Sequence, residues 1–447
     1  MKRRRALVLS TFVALVPAAL SAQSTPTFNL RDLLTNFLLT GITLAPPPAG
    51  FPSHATHFIG AASPQFQGVQ QLNQQIANQL STFPLASSAG GFTYAFDANL
   101  GVFSRATDSF GPIYAERADT IGRGRFNLGL SYSHYTFDHI NDLSLRNGGL
   151  KLVFTHIDTN GDASNLQPWF EGDVITATLF VKIQTDITAF EMAYGLEDRF
   201  DVGLAVPIVH VELNAVTAAT IDRLATANNG PGIHTFLNGT ASETFQQAGT
   251  ASGVGDVVLR AKYRLTPGAA PGLALAADIR LPTGDEGNLL GTGTTQVKLY
   301  AVGSAHLGAF SPHANAGYTF SNHRSGQPRL PDEISYSGGF DWALSPRFTF
   351  LVDALGRTFR NTQIVFVENA TFVANTNPSP VTPPVLNTAV LPRLVTRNGN
   401  LTTFLGSVGF KVNPVGNLLL TVNGLFSLNK NGLRDDFTPL VGLDYSF

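Results

Sequence analysis

Charged side chains in the second half of the chain recur at every other residue of otherwise apolar segments. Arg260, Lys262 and Arg264 alternate with aliphatic or aromatic residues, and Asp278 and Arg280 repeat the pattern one segment later. Because successive side chains of a β-strand point to opposite faces, each segment confines its charges to one face. Such a face suits a wet interior, where charges either pair with one another or bind a ligand.

The same alternation selects a set of candidate lumen-lining residues. Buried ionic groups must find partners, so pairing that supports the wall is favoured over direct contact with a ligand. We therefore predict no catalytic, cofactor-binding or metal-binding residue, and no cofactor. The candidates for the lumen lining are Arg260, Lys262, Arg264, Asp278, Arg280, Lys298, His306, Asp341, Asp353, Arg357 and Lys411.

Two segments carry residue types that bind metal ions, but neither completes a ligand set. The stretch from Leu281 to Gly287 contains two acids and two glycines. It lacks the full ligand pattern of a calcium loop and is interpreted as a surface turn. His54 and His57 follow Pro52 without a third ligand and are interpreted as solvated histidines.

Nucleophilic catalysis is the main competing chemistry. It requires a base within hydrogen-bond reach of the nucleophile, which the order of residues along a barrel does not establish. The chain has no cysteine, and no G-x-S-x-G turn accompanies its candidate histidines, which are His134, His139, His156, His306 and His313. The protein is predicted not to be an enzyme. The alternatives are a barrel enzyme of lipase or protease type and a structural or adhesion barrel, whose active surface would be Asn375 to Pro392.

The elements that must position these charges are β-strands with one lipid-facing side. The apolar parity is clearest at Leu273, Leu275, Ala277, Ile279 and Leu281, and again over 297–307 and 418–428, where Leu419 and Leu425 interrupt it. Charged residues make up only 13% of the chain, which is low for a soluble globule. The pattern predicts an all-β fold, an antiparallel outer-membrane β-barrel.

Connections between these segments alternate between short and long. The short ones are Gly195 to Arg199, Thr266 to Pro271, Ala309 to Pro312, Ser345 to Arg347 and Asn413 to Asn417. The long ones are Asp138 to Asp173, Ala218 to Gly253, Thr283 to Thr294, Ser321 to Glu333, Asn361 to Leu401 and Asn429 to Asp436. Short periplasmic turns and long extracellular loops are typical of outer-membrane barrels, so we predict about twelve strands. Fourteen strands would result if Phe92 to Arg105 and Pro112 to Ala118 added a pair.

A bulge is predicted at Pro207, because proline has no backbone N–H to donate to a neighbouring strand.

Both ends of the chain indicate export to the bacterial outer membrane. Four basic residues and an apolar run predict a signal peptide over residues 1–22, whose removal leaves 25 basic against 31 acidic residues and no reason to expect nucleic acid as a partner. Phe447 ends an alternating last segment, which predicts outer-membrane lipid and the barrel-assembly machinery as partners. Aromatic residues near the short turns predict an interfacial girdle: Trp342, Phe348, Phe350, Phe410, Tyr445 and Phe447.

The segment before the barrel has a helical period instead. One run comprises Leu30, Leu33, Leu34, Phe37 and Leu38, and a second comprises Phe66, Val69, Leu72, Ile76 and Leu80. We predict three regions: a signal peptide (1–22), an N-terminal helical plug or accessory segment (23–120) and a transmembrane β-barrel (121–447).

Two motifs resemble a known family. Gly253-Val254-Gly255-Asp256, continuing to Leu265 and followed by Leu281-Pro282-Thr283-Gly284-Asp285, is similar to the outer-membrane transporters grouped with the meta-pathway of phenol degradation. The stretch from Ala193 to Pro207 is similar to them as well. The resemblance is clearest over residues 190–290 and implies diffusion-type uptake of small hydrophobic or aromatic compounds, without established catalytic residues.

Overall fold

The structure is a computed structural model that describes residues 29–51, 58, 64–84, 87, 91–97, 102–105, 107–162, 164–227, 233–267, 271–322 and 330–447. The predicted signal peptide, His54 and His57 lie outside these ranges.

Within these ranges, twelve antiparallel strands form a closed barrel wall, which confirms the predicted fold and strand number. They are β1 (Phe126–Ile140), β2 (Val174–Glu197), β3 (Phe200–Asp222), β4 (Ser242–Val254 and Val258–Arg264), β5 (Gly272–Arg280), β6 (Gln296–Ser304), β7 (Phe310–Ser321), β8 (Glu333–Ser345), β9 (Phe348–Asn375), β10 (Leu386–Val415), β11 (Leu418–Ser427) and β12 (Thr438–Ser446). The wall closes because β1 pairs with β2 on one side and with β12 on the other.

Short accessory strands occur outside this ring. Leu143–Ser144 pairs with β1, Leu150–Thr155 with β2, and Leu433–Asp435 with β1. Tyr94–Asp97 and Val102–Arg105 pair with each other in a separate two-stranded sheet. The alternative of fourteen wall strands is therefore wrong, since residues 112–118 form no strand either.

One end of the barrel carries short turns and the other carries long connections, as predicted. Three details of the prediction are wrong. The turn between β6 and β7 lies over residues 305–309, and Pro312 already pairs with Phe340 inside the sheet. The expected long loop from Asn361 to Leu401 is mostly strand, because β9 and β10 continue as one hairpin and leave only residues 376–385 between them. The expected loop from Ala218 to Gly253 is likewise shortened to residues 223–241.

These longer strands follow from a reversal of polarity along the wall. Near the short-turn end of β2, Phe190 and Tyr194 face outward and are exposed. Toward the long-loop end the outward positions become polar, as at Lys182 and Asp186, while the inward Leu179 is fully buried. Apolar groups suit lipid, and polar groups suit water. The wall therefore extends beyond the lipid-facing band with an apolar interior.

The N-terminal helices fill that apolar interior. A 3-10 turn (Leu30–Asp32) leads into α1 (Leu33–Asn36) and a π-helical turn (Phe37–Gly41), and α2 spans Pro64–Leu80. Their apolar faces form one buried cluster with the inward residues of β2, β3, β9 and β10. A Cβ at Gly68 of α2 would lie only 3.2 Å from the carbonyl oxygen of Leu394, so glycine permits this close contact with β10.

Among the described residues, no helix has both the length and the apolar character needed to cross a membrane.

Candidate functional site

Residues 107–121, here called the lumen segment, lie inside the barrel near the short-turn end. The Thr120 hydroxyl donates to the carbonyl oxygen of Asp198 at 2.7 Å, beside the turn between β2 and β3. The backbone N–H of Ile121 donates to the Asp201 carboxylate at 3.0 Å. These bonds place the end of the lumen segment at the short-turn rim, from which the chain enters β1.

Three charged residues of the lumen segment, Glu116, Arg117 and Asp119, form ion pairs with residues of the barrel wall. The Arg117 guanidinium forms an ion pair with Asp341 of β8, and both side chains are fully buried. Glu116 accepts from Arg260 and, at 3.3 Å, from Lys262 of β4. Removing one partner of a buried ion pair typically costs about 3–5 kcal/mol, because the remaining charge stays buried and unpaired. These contacts therefore fix the lumen segment strongly.

Asp119 makes the third connection. Its carboxylate lies 2.7 Å from Arg264 and 2.8 Å from His306. Burial raises the pKa of Asp119, but the hydrogen bond from His306 and the positive charges of Arg117 and Arg264 outweigh it and lower the pKa to about 2. Asp119 lies outside the spanning strands and is ionised at neutral pH.

The backbone of the lumen segment is also bonded to wall side chains. Asp353 accepts from the N–H groups of Ile113 and Tyr114 at 3.4 and 3.3 Å, and it lies 2.7 Å from His313. The Lys411 ammonium donates to the carbonyl oxygen of Pro112 at 3.0 Å. Polar groups of an irregular backbone inside a barrel need such partners.

A cavity of about 160 Å³ separates the lumen segment from the C-terminal end of α2. We call it the chamber. Among the described residues, four cations and three acids line it: Arg260, Arg280, Lys298, Arg357, Glu116, Asp278 and Glu333. Arg260 binds Asp278 through two bonds of 2.7 and 2.8 Å, and Arg357 binds Glu333 at 2.6 Å.

An aromatic cavity of about 70 Å³ adjoins the chamber and shares Phe83, Arg357 and Leu405 with it. Phe83 stacks on Tyr135 with ring centroids 6.0 Å apart, and Tyr135 stacks on Phe137 at 5.7 Å. The aromatic cavity thus gives the charged chamber an apolar extension.

Leu419 and Leu425, which interrupt the alternation of β11, face this filled interior. Leu419 is fully buried against Phe92 and Phe110. Leu425 is buried in the main core and lines the aromatic cavity. Inward leucines are favourable here because N-terminal residues, and not water, cover them.

The structure places the eleven candidate lumen-lining residues in two groups. Arg260, Lys262, Arg264, His306, Asp341, Asp353 and Lys411 contact the lumen segment. Asp278, Arg280, Lys298 and Arg357 line the chamber. Their partners Glu116, Arg117, Asp119 and Glu333 are not among the residues that the sequence predicts to line the lumen. The charged run from Glu116 to Asp119, in a chain of low charge, was the available signal.

The wall is interrupted at residues 255–257, between the two parts of β4. Pro207 does not form the predicted bulge, since β3 passes through it in register with Ala189 of β2. The irregularity lies in the neighbouring strand, where the N–H of Gly255 donates to the Pro207 carbonyl oxygen at 2.8 Å. A Cβ at Gly255 would meet Leu290 and Pro207 at about 3.1 Å, so the loop after β5 fills the interruption.

That loop contains the turn considered for calcium. The Asp285 carboxylate already accepts from the N–H of Gly287 at 2.9 Å and from the Asn288 amide at 2.7 Å. Within the described part of the chain, no group of three or more metal-binding side chains is present.

One serine, one histidine and one carboxylate come together near the short-turn end. The His306 ring lies 3.3 Å from the Ser311 hydroxyl and 2.8 Å from Asp119. Ser311 is only 2% exposed and also bonds Ser109 of the lumen segment. A nucleophile must be reached by its substrate, so this arrangement serves better as an attachment of the lumen segment.

The twelve-stranded wall, its apolar outer band and its polar, internally filled lumen define an outer-membrane type of β-barrel. Residues 158–362 match the family described as "Putative MetA-pathway of phenol degradation", which confirms the resemblance predicted from the sequence and extends it in both directions. The match covers less than half of the chain.

Several solved barrels are similar to the chain at low identity. An outer membrane channel from Pseudomonas putida F1 is 13% identical, with 73% of this chain and 97% of that one covered and a TM-score of 0.40. A FadL homologue from Pseudomonas aeruginosa is 12% identical, with coverage of 82% and 98% and a TM-score of 0.32. The Ralstonia pickettii toluene transporter TbuX is 13% identical, with coverage of 73% and 89% and a TM-score of 0.24. No curated protein sequence matches.

Proposed function

We propose that the protein is an outer-membrane channel for diffusion-type uptake of small hydrophobic or aromatic compounds. The observation that carries the proposal is the pair of joined cavities, partly aromatic, enclosed between the lumen segment and the N-terminal helices. A protein that only scaffolds or adheres needs no such internal space. The match to a phenol-degradation family supports the same class of compound.

The proposal assigns a task to each region. Residues 1–22 direct export and are removed, residues 23–120 form the plug, and residues 121–447 form the barrel in the outer membrane. The terminal strand guides assembly through the barrel-assembly machinery. This role is supported by Phe447, whose side chain is 51% exposed on the outer face. Its N–H donates to the carbonyl oxygen of Phe126 at 2.8 Å, where β12 pairs with β1 to close the barrel.

Passage requires the lumen segment to move. The chamber ends against Tyr114 and Glu116 of the lumen segment on one side and against Thr82 and Phe83, just after α2, on the other. A cavity of about 150 Å³ is large enough to hold benzene, so a small aromatic compound fits between these closures. Displacement of the lumen segment would then open the chamber toward the short-turn, periplasmic end.

The experiment compares two probes in cells that express the protein and in cells that do not. A fluorescent naphthylamine reports entry of a hydrophobic compound through the outer membrane. A chromogenic β-lactam, cleaved by periplasmic β-lactamase, reports entry of a polar one. We expect the protein to raise naphthylamine entry several-fold and to leave β-lactam entry unchanged.

Other outcomes distinguish the alternatives. Equal naphthylamine entry with and without the protein would contradict the channel and leave the structural or adhesion role. Release of chemically altered substrate by the purified protein in detergent would support the barrel enzyme instead. A parallel rise for both probes would indicate an unselective pore.

A further inference from the structure

We propose that the chamber binds an aromatic monocarboxylate, with the carboxylate between Arg280 and Lys298 and the ring toward the aromatic cavity. This names the ligand class of the proposed channel and rests on that proposed function. The sequence favours structural pairing of the buried charges, but among the described residues these two cations have no carboxylate partner.

Arg280 and Lys298 stand out from the other charges of the chamber. Arg280 donates only a long 3.4 Å bond, to the carbonyl oxygen of Ser81. The Lys298 ammonium lies 4.8 Å from the centre of the Tyr300 ring. Neither forms an ion pair with any carboxylate of the described residues.

The missing partner of Lys298 has a structural explanation. Asp278 lies directly opposite Lys298 in the β5–β6 pairing and would normally neutralise it. Arg260 binds both oxygens of Asp278, and the Tyr300 hydroxyl donates to it at 3.2 Å. Glu333, another acid of the chamber, is held by Arg357.

The chamber therefore has an excess of positive charge. Of its described lining residues, four are cations and three are acids, and Glu116 is shared with Lys262 as well. An enclosed cation without a partner is costly, so a bound anion would be stabilised at this position. Arg and Lys donors are the usual partners of carboxylates in proteins.

The side of the chamber away from Arg280 and Lys298 favours an apolar part of the ligand. Phe83 and Leu405 line both cavities, and beyond them lie Tyr135, Phe137 and Leu425. A neutral aromatic compound would leave the two cations unpaired, and a small inorganic anion would leave the aromatic cavity unfilled. A compound with one carboxylate and one ring satisfies both sides.

The test measures binding to the purified full-length protein in detergent by calorimetry, with benzoate, benzyl alcohol and acetate as probes. Benzoate should bind most tightly, since benzyl alcohol lacks the charge and acetate lacks the ring. In a double variant carrying Arg280→Gln and Lys298→Gln, benzoate affinity should fall at least tenfold, while benzyl alcohol affinity stays the same.

Two further variants keep the test decisive. Arg347→Gln removes a cation from the exposed turn between β8 and β9 and should leave benzoate binding unchanged. When Lys298→Arg replaces Lys298→Gln in the double variant, most of the benzoate affinity should return. Heat-modifiability on gels checks that each variant is folded.

Benzoate affinity that is equal in the wild-type protein and the double variant would overturn the inference, as would tighter binding of benzyl alcohol than of benzoate. Neither result touches the proposed channel, because naphthylamine entry is measured separately. If the double variant retains naphthylamine entry but loses benzoate binding, both proposals stand. If the protein binds benzoate but admits no naphthylamine, the channel for neutral compounds fails and the anion site remains.

Discussion

A charge placed on the lipid-facing side of β7 should destabilise the barrel far more than the same charge inside it. Ala314 faces outward, is exposed and pairs with Gly303 and Gly338, so no large neighbour shields it. It is four residues from the start of β7 at Phe310. With a rise of about 3.3 Å per residue and a tilt of about 40°, this places it about 10 Å into the apolar band, near its middle.

Arginine at the membrane midplane of such barrels costs about 2–4 kcal/mol. Ala314→Arg should therefore lower the folding equilibrium constant by roughly 30- to 700-fold, since each 1.4 kcal/mol is a factor of ten. The control is Thr319→Arg on the same strand. Thr319 faces the chamber and lies between Lys298 and Glu333 of the two neighbouring strands, so the new guanidinium enters a polar cavity, with one cationic and one acidic neighbour, instead of lipid.

The measurement is reversible folding into lipid vesicles across a urea series, followed by gel mobility of unheated samples. We expect the midpoint of Ala314→Arg to fall well below that of the wild type, with the midpoint of Thr319→Arg between the two. Equal midpoints for the two variants would refute the outward and inward assignment of β7, and with it the register of the neighbouring strands.

Three further perturbations follow from the same contacts. Deleting Phe447 should lower the amount of folded, heat-modifiable protein in outer-membrane fractions; normal insertion of the shortened chain would contradict its role in assembly. Arg117→Met should loosen the lumen segment by removing its buried ion pair with Asp341, which keeps only His313 as a charged partner among the described residues, and so raise β-lactam entry while the barrel stays folded; unchanged entry would mean that other contacts suffice. Because the pKa of Asp119 is lowered to about 2, its contribution is fully present above about pH 4 and is lost as the pH falls through 2. Asp119→Asn should therefore reduce thermal stability at pH 7, and the difference from the wild type should disappear only below pH 4.

The outer surface of the barrel was predictable because it depends on local alternation. Lipid selects apolar side chains at every second residue, and the exposed Leu273, Leu275 and Ile279 follow that rule. Where strands leave the lipid, the selection reverses. For this reason the sequence of β9 beyond Asn361 predicts a polar loop, although the strand continues to Asn375.

The interior was less predictable because its contacts join distant parts of the chain. Arg117 and Asp341 are 224 residues apart, and Glu116 and Lys262 are 146 apart. Periodicity carries no signal for such pairs. Ala276 illustrates the consequence: by parity it is a lumen position, yet it is buried in a cluster with Ala118 of the lumen segment. A charge there would disturb packing and would make a poor control for lipid exposure.

Leu419 and Leu425 show that departures from a pattern carry information. In β11 both interrupt the alternation of apolar and polar residues. Leu419 does so where it packs against residues that precede the barrel, and Leu425 where it lines the aromatic cavity, so neither side chain faces a water-filled lumen. The barrel sequence therefore contained evidence of internal filling, although not the identity of the segment that fills it.

The central claim is that transport depends on displacement of the lumen segment, and a reversible tether tests it directly. A Cβ built at Gly272 lies 2.8 Å from the Cβ of Ala118, close to the 3.5–4.5 Å typical of a disulfide, so a small shift allows Ala118→Cys and Gly272→Cys to be joined. The chain has no other cysteine. Gly172→Cys with Ala374→Cys, a tether at the long-loop end where the corresponding Cβ distance is 2.6 Å, serves as the matched control.

The measurement is naphthylamine entry into cells that carry each tethered protein, before and after addition of a reductant. With the Ala118–Gly272 tether oxidised, entry should fall to the level of cells without the protein, and reduction should restore it. The control tether should leave more entry than the lumen tether under the same conditions. Equal entry through the oxidised and reduced lumen tether, with the disulfide verified by mass spectrometry, would contradict the claim that the lumen segment must move.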